Sequence, residues 1–143
     1  MMRRIIRMAG WLVATAVAAY GLLLGYATFG IDGAQELKRG TILGELLLTS
    51  GPIRSFPASL IDGEKRYFYC NGEPSGRSAN TLVIRVSEYD PAMMQRCVDW
   101  LAKCGFARHD TNTAGTLTRM QADDQREAWV EFKDGDVVMT VQH

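Results

Sequence analysis

The sequence has no two cysteines at zinc-ligand spacing, no G-x-S-x-G, no H-E-x-x-H and no glycine-rich phosphate loop. The first absence argues against a structural zinc site. The others remove the common signatures of serine hydrolases, zinc proteases and nucleotide-binding enzymes. No EF-hand loop is present, and His109-Asp110 has no second histidine near it, so neither a metal nor a cofactor is expected. No internal repeat or heptad array appears. Charge is unevenly placed. Arg3, Arg4 and Arg7 precede any acid, and the first acid is Asp32. Of 16 Lys+Arg, 16 − 3 = 13 lie beyond residue 31, against 16 Asp+Glu, a balance of −3. With no basic patch in that part, nucleic acid is not an expected partner.

From Ala9 to Phe29 no residue is charged. Such a run spans about 31 Å as a helix, close to the thickness of a bilayer core. The preceding arginines orient it with a cytoplasmic N-terminus, and Trp11, Tyr26 and Phe29 suit the two interfaces. Residues 1–30 are therefore expected to be a signal-anchor, a single-pass membrane helix that places the rest of the chain in the bacterial periplasm. The alternative is a cleaved export signal, with Gly25-Tyr26-Ala27 as its small-residue exit. No cysteine lies in this segment, which excludes a lipoprotein anchor there. Gly10, Ala14 and Ala18, then Gly21 and Gly25, repeat small residues every four positions, the spacing that lets membrane helices pack closely. A helix-mediated oligomer is the functional reading of that row; ordinary membrane-helix composition is the plainer one.

Residues 31–65 read as a connecting region. Asp32 is a candidate cap for a short helix through Lys38, "ELLL" is either a strand or a helix end, and Gly51-Pro52 and Pro57 mark turns. Residues 66–143 read as a small α+β domain. "RYFYC" and "TLVIRVS" are strands, separated by a loop at 71–80. In "DPAMMQRCVDWLAKCGF", Asp90 caps a helix that Pro91 opens and Gly105 ends. Its apolar residues fill one arc, so it lies on a core by one face. "GTLTRMQ" predicts another strand. "EAWVEFK" and "DVVMTVQ" flank Asp134-Gly135, a two-residue hairpin signal. That turn pairs Phe132 with Val137, Val130 with Met139 and Ala128 with Val141, six apolar residues on one face. The expected order is β-β-α-β-β-β, an antiparallel sheet covered on one face by a helix.

Cys97 and Cys104 are about 10.5 Å apart along that helix, too far to bridge each other. Cys70 is left as a disulfide partner for either, with Cys104 at the helix end the better placed; inert core thiols are the alternative. The hairpin register sends Trp129 to the face opposite the core strip, with Glu131, Val138 and Thr140. Either this is a partner-binding surface, tryptophan being common at binding hot spots, or residues 42–61 fold over it. Tyr67 and Tyr69 share a strand face and either join that surface or pack across strands. No catalytic residues stand out. The expected function is protein binding in the cell envelope, as an accessory subunit or an inhibitor or immunity-type factor. The alternatives are an exported ligand-binding domain cleaved near Ala27 and, least favoured, a small exported enzyme.

Overall fold

A computed structural model describes residues 2–29, 34–71 and 77–143. The expected cap at Asp32 and the middle of the loop at 71–80 lie outside the described residues. The chain divides into two compact units, Met1–Asp32 and Gly33–His143.

The first unit is helix α1, Met2–Phe29. Among the described residues no helix is long and apolar enough to cross a membrane. Gly10, Trp11, Thr15, Tyr20 and Gly21 dilute the apolar character of the helix. The expected signal-anchor, and with it the single-pass inner-membrane placement, is therefore withdrawn. Gly10, Ala14, Ala18 and Gly21 are exposed and Gly25 is half-buried. A Cβ added at Gly10, Gly21 or Gly25 would meet nothing within 4 Å.

The second unit is α+β, with seven strands rather than the five expected. Its elements are β1 (Ala34–Leu37), α2 (Ile42–Leu47), α3 (Gly51–Arg54), β2 (Glu64–Cys70), β3 (Ala79–Arg85), α4 (Pro91–Lys103), β4 (Phe106–Thr111), β5 (Leu117–Ala122), β6 (Glu127–Lys133) and β7 (Asp136–Gln142). They form one sheet in the order β1-β2-β3-β7-β6-β5-β4, antiparallel at every pair. The hairpin pairs Phe132 with Val137, Val130 with Met139 and Ala128 with Val141, as the turn residues predict. Asp134 and Gly135 both have positive φ, 54° and 83°, the two-residue turn whose twist suits a hairpin.

One face of the sheet carries the core. Leu82, Ile84, Val130, Val137, Met139 and Val141 on it are almost wholly buried. Helix α4 lays Met94, Cys97, Val98 and Leu101 against this face. Its first turn is capped by the Asp90 carboxylate, which accepts from Ala92 N at 2.8 Å. Residues 42–61 pack beside α4 on the same face. The buried Asn80 side chain of β3 accepts from Ser50 N at 2.7 Å and donates to the Leu47 carbonyl at 2.9 Å, pinning the junction of α2 and α3. Trp100 of α4 donates to the Pro52 carbonyl at 3.0 Å and meets Phe56 edge-on. The segment expected to be a connector thus supplies an edge strand, two short helices and part of the core.

Candidate functional site

Because α2, α3 and α4 all lie on one face, none of them covers the other. Side chains alternate along a strand, so the register fixes what the open face presents. Its middle row runs Glu36, Phe68, Thr81, Thr140, Trp129, Arg119, Asp110 from β1 to β4. The row on one side holds Arg66, Val83, Val138, Glu131 and Leu117. The row on the other holds Cys70, Ala79, Gln142, Glu127, Gln121 and Ala107.

At the β4–β6 end these rows enclose a trough of about 560 Å³, lined on the open face by Trp129, Leu117, Arg119, Gln121, Glu127, Glu131, Gln142 and His109. Met120 and Ala128 border it but are almost wholly buried. His109 arrives by a β-bulge. β4 pairs Arg108 with Met120 but Asp110 with Arg119, leaving His109 as the extra residue. A bulge bends its strand and re-aims a side chain. It also puts Arg108 on the covered face, where it donates to Gln95 of α4 at 3.0 Å, and Asp110 on the open one.

Two ends of the open face differ in how their charges are satisfied. Toward the β6–β7 turn, Glu64, Arg85, Asp136 and Lys133 alternate in sign across four adjacent strands. Arg85 is hydrogen-bonded to Asp136 through Nε and, at 3.3 Å, through Nη2; Arg66 lies 3.9 Å from the same carboxylate. The Asp136 hydrogen bond, then its charge, raises the Arg85 pKa above its ordinary value. In the trough, by contrast, the side chains of Trp129, Arg119, Glu127, Glu131, Gln121 and His109 have no hydrogen bond or ion pair among the described residues. Arg119 sits diagonally across from both glutamates and still pairs with neither.

No protein family model, curated protein or solved structure matches this chain. Its reading rests on the residues themselves.

The structure brings Trp129 and Glu131 together in the trough and sets Val138 and Thr140 on the same face beside them. Thr140 is only 5% exposed and shares a 2.9 Å hydrogen bond with Thr81, so it is a support rather than a contact surface. Tyr67 and Tyr69 lie on the covered face, opposite Leu82 and Asn80, and are buried. Tyr67 accepts from Arg39 at 3.3 Å beneath that guanidinium. They pack in the core and do not share the surface with Trp129. Arg119 and Gln121 were not singled out by the sequence, and His109 was weighed there only as a metal ligand and set aside. A correct register for β5 would have found the first two; the bulge that aims His109 has no sequence mark.

All three cysteines are free. Cys70 is on the open face of β2, whereas Cys104 ends α4, which packs over β4 and β6. Three strand spacings, about 14 Å, separate β2 from β6, well beyond a disulfide's reach of about 7 Å. The expected bridge between Cys70 and the helix is therefore not formed. Burial pushes the Cys97 thiol up to about 12 and also raises Cys104, which leaves both weakly nucleophilic. Among the described residues no group of three His, Cys, Asp or Glu is placed to hold a metal.

Proposed function

We propose that this protein is a binding module, not an enzyme, and that it recognises its partner on the open sheet face with Trp129 as the anchor. One observation carries the reading. A half-buried tryptophan stands among Arg119, Glu127, Glu131, His109 and the Gln121 amide, which find no side-chain partner among the described residues, while Arg85 and Arg66 elsewhere on the same face meet Asp136. Polar groups held on rigid strands and left unpaired are suited to a ligand that completes them. An accessory or inhibitor role, in which binding is the whole activity, fits a surface of this kind.

The test compares two tryptophans. Trp129→Ala should cost about 1–2 kcal/mol, because the half-buried indole packs only on the open face, against cross-strand neighbours such as Arg119 and Thr140. Trp100→Ala, which removes the Phe56 contact and the Pro52 hydrogen bond, should cost about 3 kcal/mol. Urea unfolding measures both. Loss of partner binding in Trp129→Ala at no more than this stability cost supports the proposal. A stability loss at Trp129 as large as that at Trp100 would make it a core residue and remove the site.

A further inference from the structure

Resting on the reading of the trough as a binding site, we infer that its ligand is a saccharide, an uncharged polyhydroxylated ring. The lining decides this by what each candidate ligand would leave unsatisfied. Arg119 offers donors only and Glu127 and Glu131 offer acceptors only, while Gln121 offers both and His109 adds its ring nitrogens. An anion would suit Arg119 but face two carboxylates. A cation would suit the carboxylates and Trp129 but face the guanidinium. An apolar ligand would strip water from all of these groups and give nothing back. An apolar peptide side chain would find only Trp129 and Leu117 as exposed apolar surface, and the backbone of a peptide pairs with sheet edges rather than with a sheet face.

A sugar hydroxyl is donor and acceptor at once. Vicinal hydroxyls match the paired atoms of a carboxylate, a carboxamide or a guanidinium, so one ring can serve both charge signs. The apolar C–H face of a pyranose packs on an aromatic ring, which here is the indole of Trp129. Glu127 and Glu131 flank Trp129 two residues away on each side of the same strand, and Arg119 is its direct cross-strand neighbour, so hydrogen-bonding groups surround the indole. A volume of about 560 Å³ is in the range of small-ligand sites, roughly 300–1,000 Å³, and suits a short oligosaccharide.

The experiment screens the full chain on an array of neutral and amino-sugar oligosaccharides and titrates the strongest hit by tryptophan fluorescence and calorimetry. Wild type should bind with an affinity that changes less than about twofold between about 50 and 500 mM NaCl, since no net charge is neutralised. Trp129→Ala should weaken binding at least about tenfold. Arg119→Ala, whose side chain has no partner to lose among the described residues, keeps the test valid should the tryptophan variant unfold; it should weaken binding several-fold at unchanged thermal midpoint. Lys133→Ala, on the same face but outside the trough, across from Asp136, should bind as wild type. A silent array, or binding that both trough variants retain, overturns the saccharide inference. If the array is silent but a peptide library yields a ligand that Trp129→Ala loses, the binding face stands and only the ligand class falls. If neither library binds, both fall.

Discussion

At the scale of single residues, burial separates what holds the fold from what faces a ligand. Asn80 is fully buried and serves three groups: Ser50 N, the Leu47 carbonyl and the Thr49 hydroxyl. Asn80→Ala would leave the buried Ser50 N–H without its acceptor and take one of two donors from the Leu47 carbonyl, which also accepts from Thr49 N at 2.9 Å. We expect a loss of about 1–3 kcal/mol, read from urea unfolding. His143 behaves differently. Its Nε2 is buried without a partner among the described residues, and burial, then the charge of Arg126, holds its pKa below the ordinary 6.5. The unfolded chain therefore takes up this proton at a higher pH than the folded one. Stability should be unaffected above that value and decline as pH falls through 6.5 toward the lower folded pKa. His143→Gln should flatten this decline, which thermal midpoints between about pH 8 and 5 would reveal against wild type. The same scale shows where sequence reasoning stopped. A two-residue period placed Tyr67 with Tyr69 and Trp129 with Glu131, but it does not say which face of each strand is covered. The hairpin register set Trp129 opposite the core strip but left open whether residues 42–61 fold over it. For Tyr67 the partner strand lies across the loop at 71–80, whose length hides the register.

At the scale of elements, legibility followed burial. Strands β3, β6 and β7 are central and alternate buried with open positions, so their period is visible. Helix α4 carries its cap, its opening proline and its terminal glycine, with Gly105 at φ 91°. The two strands missed, β1 and β4, are the two edges of the sheet. Each buries a single residue, Leu37 and Phe106, so neither shows a pattern. Helix α2 was ambiguous because six residues are too few to display a helical period. The hairpin allows a direct test of turn chemistry. Gly135→Ala forces a Cβ into the left-handed region and should cost about 1 kcal/mol or more, measured by thermal unfolding.

At the scale of the whole molecule, the informative fact is one-sidedness. A seven-stranded sheet with all three helices of its unit on one face leaves the other to be completed from outside that unit's helices. The sequence implied a sheet covered on one side by α4. It did not show that residues 42–61 would join α4, because the buried Asn80 bond that recruits them spans thirty residues. The unit Gly33–His143 has its own core, so a chain beginning at Gly33 should unfold in a single cooperative transition. Circular dichroism through a thermal ramp would check this; loss of the transition would mean that α1 is needed for folding.

The bulge in β4 has an effect beyond aiming His109. A regular edge strand is a template on which another chain can extend the sheet, and long flat edges invite aggregation. In β4 the extra residue breaks the spacing of the outward N–H and C=O groups, and Arg108 and Asp110 project to opposite sides. A neighbouring chain could pair with only two or three residues before its ladder fell out of step. The irregularity that brings an imidazole to the trough therefore also guards the trough's border, keeping it open to a ligand and closed to a further strand.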